Sequence, residues 1–194
     1  NTAAQGILGY AYVCPDMIGG GSFTDFLPGS TTFDSELLIR YCAASALMPM
    51  MQFSLAPWRV LSEDEFNIIL NFCALHNKFA DKIISLAENA SRTGEPIVRY
   101  VEYVFPHQGF EHVTDCFMLG DDVLVAPVSV KGSCEKTLIL PEGTWLFCSG
   151  DENDPVMCSA GDLSLYGEER IYSGGKEVTV SAPVNALPYF IRIG

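Results

Sequence analysis

The chain has 194 residues, with 11 Lys and Arg against 24 Asp and Glu, and a formal charge of −13. At 48% hydrophobic and 18% charged residues it can build a packed core, which excludes a mostly disordered chain. The acid surplus excludes a nucleic-acid phosphate binder, which needs a basic patch, and the length falls short of the roughly 250 residues of a complete eight-stranded α/β barrel. Residues 7–14 form an apolar run stopped by Pro15 and Asp16 and followed by Gly19-Gly20-Gly21. This predicts a buried strand with a glycine-rich loop at its C-terminal end. Asp34 can cap a helix through about Ser45, with Leu37, Leu38, Tyr41, Cys42 and Ser45 on one face. Residues 46–54 are a second apolar run, read as a strand with Pro49 at its entry, and Pro57-Trp58 marks the loop after it.

Ser62 and Glu65 form a capping box, which predicts a long helix to about Ser91. Phe66, Ile69, Leu70, Cys73, Ala80, Ile83, Ile84 and Ala87 lie on its apolar stripe, and Gly94 suits its C-terminal cap. From residue 95 the pattern changes. Strands are predicted at 97–105, 122–130, 136–140, 145–148, 176–181 and 189–193, punctuated by glycines. Short strands separated by turns predict an antiparallel β-sandwich. The chain therefore divides into β-loop-α-β-loop-α over 1–95 and an all-β part over 96–194. The first pattern cannot close a sheet alone, so it reads as the last two βα units of a (β/α)8 TIM barrel.

Asp16 is the sharpest candidate for chemistry. At the mouth of a barrel its carboxylate would accept charge-assisted hydrogen bonds from sugar hydroxyls, and otherwise it is a turn aspartate bonding its own backbone. Gln52, Phe53, Ser54 and Trp58 cluster after the second apolar run. The Trp58 face could stack on a pyranose ring or pack under the following helix. His76, His107 and His112 share no ligand spacing. Asp121-Asp122 and Asp151-Glu152-Asn153-Asp154 are acidic clusters; the second is either a calcium loop or a solvated one. No nucleophile elbow, phosphate loop or dinucleotide fingerprint is present.

The seven cysteines include no C-x-x-C pair, which argues against zinc ribbons and thioredoxin-like motifs. Cys42 and Cys73 fall inside apolar helical patterns and read as small core residues, whereas Cys134, Cys148 and Cys158 lie where a disulfide is plausible. Asn89-Ala90-Ser91 is a glycosylation acceptor, usable only in a secretory compartment. No run of 18 apolar residues predicts a membrane span.

Taken in order, the motifs resemble glycoside hydrolase family 31, the retaining α-glycosidases. Cys14-Pro15-Asp16-Met17-Ile18-Gly19-Gly20 is similar to the family's strand ending in Asp-Ile-Gly-Gly-Phe. Glu36-Leu37-Leu38-Ile39-Arg40-Tyr41 is similar to its Glu-Leu-x-x-Arg-Trp helix. The segment from Phe117 through Leu119-Gly120-Asp121-Asp122 to Val125-Ala126-Pro127-Val128 is similar to its Phe-Met-x-Gly-x-x-Leu-Leu-Val-Ala-Pro stretch. Pro141-Glu142-Gly143-Thr144-Trp145 and Leu187 to Gly194 match its β-domain signatures. Pro15 to Gly20 combined with Phe53 to Trp58 points to a branch associated with α-galactoside cleavage.

The resemblance implies barrel strands seven and eight ending at Asp16 and near Ser54, and a substrate-binding role for Asp16, Ser54 and Trp58. Where many members carry Arg-Asn-His, this chain has Gln52-Phe53-Ser54, which permits a hexose other than glucose. The family's nucleophile and acid/base are aspartates on earlier strands, so neither is expected here, and Asp25 and Asp34 are not candidates for those roles. The expected parent hydrolyses terminal α-linked galactose or glucose, and needs no organic cofactor and no metal. Its expected location is the secretory lumen or cell exterior, with anchoring through the upstream region as one form. About two hundred or more residues are expected upstream, from the usual barrel size. The isolated chain is then expected to be inactive and, with apolar edges at 7–14 and 46–54, poorly soluble. The rival expectations are a non-catalytic carbohydrate-binding or interaction module and a plain structural β-domain.

Overall fold

The computed structural model describes residues 2–21, 24, 33–154 and 167–194. Among the described residues, five helices precede or interrupt eight strands: α1 (Thr2–Ile7), α2 (Ser35–Ala46), α3 (Glu63–Lys78), α4 (Ala80–Thr93), β1 (Val98–Arg99), α5 (Val101–Val104), β2 (Phe117–Leu119), β3 (Val123–Val125), β4 (Glu135–Leu140), β5 (Thr144–Cys148), β6 (Ile171–Ser173), β7 (Lys176–Ser181) and β8 (Tyr189–Arg192). Pro57–Arg59 form a single 3-10 turn.

The caps read from sequence are present. The Asp34 carboxylate accepts from Leu37 N at the start of α2. Ser62 and Glu65 bond reciprocally at the start of α3. Gly94 closes α4 in the left-handed conformation, φ +80°, which costs a glycine little.

One sheet has the order β1-β2-β3-β8-β5-β6 and is antiparallel throughout; β4 and β7 pair as a second sheet. Alternation sorts the six-stranded sheet's side chains between two cores. Phe117, Leu119, Val123, Val125, Leu146, Tyr189 and Ile191 point to the helices, where Ile69, Phe72, Leu75, Phe79 and Ile83 meet them. Met118, Leu124, Trp145 and Phe190 point the other way, onto Leu138 and Leu140 of β4 and Val178 and Val180 of β7. The outer face of the small sheet is exposed and polar, with Thr137 and Thr179 hydroxyls 2.8 Å apart across the strands. The two sheets thus make the sandwich, and the helices cover its other side. The fully buried Trp145 satisfies its indole N–H by donating to the Pro141 carbonyl at 2.8 Å.

Several expected elements take a different form. Residues 7–14 are not a strand: α1 ends at Ile7, and the following extended segment joins no ladder. Ala11 and Val13 are buried while Leu8, Tyr10 and Tyr12 are exposed, so a period of two holds over 10–13, where the Ala11 carbonyl accepts from Ile97 N at 3.5 Å beside β1. Of residues 46–54 only Phe53 pairs, in an isolated parallel bridge with Ile18. The long helix is two, broken at Phe79. The predicted strand at 97–105 shrinks to β1, because the chain turns into α5 beyond Tyr100. The strand expected at 122–130 spans only Val123–Val125. β2 and β6 were not anticipated.

Among the cysteines, Cys42 is buried in the helix-side core as predicted, but Cys73 only half so. Cys134 is exposed and Cys148 buried. Cys158 lies outside the described residues, as do Asp25 and Gly161.

Candidate functional site

The Ile18–Phe53 bridge organises the candidate site. Ile18 N donates to the Gln52 carbonyl at 2.9 Å, and Ser54 N donates back to the Ile18 carbonyl at 2.9 Å. The Ser54 hydroxyl donates to that same carbonyl at 3.2 Å. Two segments far apart in sequence therefore run parallel, with Ile18 fully buried between them. Asp16 lies two residues before Ile18, and its side chain is exposed beside the bridge.

Asp16 is held from both sides of its backbone. Met17 N donates to its Oδ1 at 2.8 Å, and the Tyr41 hydroxyl of α2 donates to its main-chain carbonyl at 2.6 Å. Gly20 N donates to the Met17 carbonyl, and a β-carbon on Gly20 would come 3.1 Å from that oxygen. Gly19 has φ +84°, and a β-carbon there would strike Leu55 at 2.3 Å. The glycines predicted after Asp16 are thus needed for a tight turn and close packing. The bond from Met17 N is the one the turn-aspartate reading expects, and the Asp16 side chain otherwise stays open to solvent.

The phenol of Tyr41 is raised from its ordinary 10.0 by burial, then by the Asp16 and Cys14 charges. Gln52 Nε2 donates to Cys14 Sγ at 3.1 Å. Asp16, Cys14, Tyr41, Gln52 and Ser54 are thereby linked around one bridge. Trp58 sits on the 3-10 turn beyond, 66% exposed, with its ring edge-on to Phe66 at 6.1 Å. It meets α3 at Phe66 but is not covered, so an indole face is available.

Tyr41 and Cys14 had not been singled out. Cys14 stands two residues before Asp16, and on extended backbone that spacing shares a side, which was a usable signal. Tyr41 had none in its helix pattern, since its contact with Asp16 is tertiary.

The remaining candidates lie elsewhere. Asn89 sits within α4, and the Ser91 hydroxyl of its acceptor triplet donates to the Glu88 carbonyl at 2.7 Å. His76 Nδ1 donates to the Ala46 carbonyl at 2.9 Å and so joins α3 to α2. The backbone N–H groups of His107 and Phe110 both donate to the Glu102 carboxylate. In the acidic run at 151–154 Glu152 and Asn153 are exposed, as a solvated loop expects, and Asp154 is the exception. Asp154 is buried, accepts from Gly150 N and Arg170 Nη1, and Glu152 accepts from Asn71. Among the described residues, no three His, Cys, Asp or Glu side chains gather as a metal site, and no helix is long and apolar enough to cross a membrane.

A six-stranded antiparallel sheet, backed by a two-stranded sheet and faced on its other side by helices, defines a β-sandwich. Residues 94–194 match the glycosyl hydrolase family 31 C-terminal domain. The chain is 35% identical to the myogenesis-regulating glycosidase of Mus musculus, over 78% of this chain and 22% of that protein. The GH31 dextranase of Flavobacterium johnsoniae complexed with isomaltotriose superposes with a TM-score of 0.65 at 27% identity, covering 81% of this chain and 18% of that one. A GH31 α-xylosidase from a soil metagenome, complexed with xylose, superposes with a TM-score of 0.78 over 98% of this chain and 29% of that one. Its 23% identity speaks to the fold alone. The chain belongs to glycoside hydrolase family 31, as its motifs indicated. Members of this family are glycoside hydrolases, and the chain spans about a fifth of its mouse relative (22%).

Proposed function

We propose that this chain is the C-terminal portion of a retaining α-glycosidase that hydrolyses a terminal α-linked hexose, an α-galactoside or an α-glucoside. In this reading residues 1–95 are the last two βα units of a (β/α)8 barrel, and residues 96–194 are the proximal β-sandwich. The observation that carries it is the parallel Ile18–Phe53 bridge, with Asp16 and Ser54 beside it. Parallel pairing needs a crossover connection, which α2 supplies between the two segments. Asp16 accepts hydrogen bonds from the sugar hydroxyls, Ser54 replaces the bulkier family residue, and Trp58 offers a stacking face. The two catalytic carboxylates, about 5–5.5 Å apart in a retaining enzyme, belong to upstream strands. No organic cofactor enters. The parent is placed in the secretory lumen or outside the cell, free or anchored upstream, with Asn89 as an acceptor.

The test compares the 194 residues alone with the same residues joined to their upstream barrel, using nitrophenyl α-galactoside and α-glucoside. The joined protein is expected to turn over one of them. Its Asp16→Asn variant is expected to lose about 10- to 100-fold in kcat/KM, the range for a charge-assisted hydrogen bond. Clear turnover by the isolated chain, or an Asp16→Asn variant as active as the parent, overturns the reading.

A further inference from the structure

The α2–α3 interface carries a second feature, independent of any sugar site. The two helices run parallel and in register. At their N-terminal ends Ser35 and Glu65 line one surface groove. At their C-terminal ends His76 Nδ1 donates to the Ala46 carbonyl. One turn before Ala46 lies Cys42, and one turn before His76 lies Cys73. Cys42 is fully buried in the helix-side core, and Cys73 is half-buried and packs against the same core. The two thiols face each other across the interface, near enough for each to act on the other's titration as a hydrogen-bond partner.

We propose that Cys42 and Cys73 are a dithiol–disulfide site that covalently fastens α2 to α3. Cys73 is the attacking partner, because it is the one within reach of solvent. The Cys42 hydrogen bond also brings its thiol down to about 7, so a substantial thiolate fraction exists at neutral pH. Cys42 is the resolving partner; burial holds its thiol protonated, well above the ordinary range. The oxidant is a small-molecule disulfide such as glutathione disulfide. The Cys73 thiolate attacks one sulfur, breaks the S–S bond and releases one glutathione thiolate, leaving a mixed disulfide. Cys42 then gives its proton to solvent and attacks the Cys73 sulfur, releasing the second glutathione. Two protein thiols are oxidised and one disulfide is reduced to two thiols. The product bond would lie next to Tyr41, whose hydroxyl holds the Asp16 carbonyl, so it would fix the helix that supports this loop.

The test treats the protein carrying this chain with glutathione disulfide, denatures it in iodoacetamide without reductant, and maps its peptides by mass spectrometry. The expected result is a Cys42–Cys73 linked peptide pair that accounts for most of both cysteines and disappears on reduction. A Cys42→Ala variant is expected instead to retain glutathione on Cys73, since no thiol is left to resolve it. Full alkylation of both cysteines overturns the proposal. So does a Cys73 that keeps glutathione in the unsubstituted protein or links to another cysteine.

Discussion

Asp16 is held by Tyr41 as well as by its own side chain. The phenol donates to the Asp16 main-chain carbonyl at 2.6 Å, and burial together with the nearby acidic charge keeps its proton on above the ordinary 10.0. The donor therefore persists throughout neutral and mildly alkaline pH. A Tyr41→Phe substitution removes that bond while keeping the ring. A net hydrogen bond is worth about 1 kcal/mol, or roughly fivefold in an equilibrium constant. In the joined glycosidase, Tyr41→Phe is expected to raise KM about fivefold with kcat nearly unchanged, because a loop that binds ground state and transition state alike is loosened. Steady-state kinetics on the nitrophenyl glycosides measure the split. A matching fall in kcat would mean that Asp16 acts mainly in the transition state.

Helix boundaries here are set by side chains that can be read in sequence, and one break by a side chain that cannot. Glu65 is held below its ordinary 4.5, first by Ser35 and then by the Ser62 backbone. Asp34 is held below 3.8, first by its bond to Lys131 and then by Leu37 N. Both folded-state values are depressed, so each carboxylate stabilises the fold above its unfolded value and loses that contribution as pH falls through its folded one. The melting temperature is therefore expected to drop as pH falls below about 4.5. Ser62→Ala is expected to cost about 1 kcal/mol at neutral pH and to blunt that acid response. Melting curves across the acid range for both proteins provide the check. The break at Phe79 has another origin. The ring is fully buried and edge-on to Tyr189 at 5.6 Å, and its backbone N–H is shared between the Leu75 and His76 carbonyls. Docking onto a strand more than a hundred residues away overrides a helical stripe that reads as continuous. Phe79→Ala is expected to destabilise the protein by about 3–5 kcal/mol in denaturant unfolding, as for large-to-small changes in a packed core.

The two-core arrangement explains which strands were legible. β4 and β7 bury one face, so they alternate and were found within a residue. β2 is buried on both faces, so it shows no alternation to mark it, and β6 is a short edge strand with Ile171 exposed. The site was legible where one segment held it, as at Asp16 and Trp58, and not where it needed α2 against the 14–16 turn. The same reasoning bears on how the chain behaves by itself. Residues 10–13 alternate, burying Ala11 and Val13, yet Leu8 is 75%, Tyr10 65% and Tyr12 56% exposed. Met17 and Met50 are exposed nearby in sequence to the bridge. Contiguous exposure of large apolar side chains favours association with other chains. The proposed upstream barrel would cover this edge. The isolated 194 residues are accordingly expected to self-associate at micromolar concentration and to bind a hydrophobic dye. The joined protein is expected to run as a discrete species with little dye binding. Light scattering on a sizing column, with Leu8→Lys and Tyr10→Lys in the isolated chain as the corrective variant, measures this. A monomeric, dye-silent isolated chain would mean that the exposed edge is tolerated without the barrel, and would remove this support for placing residues 1–95 at its end.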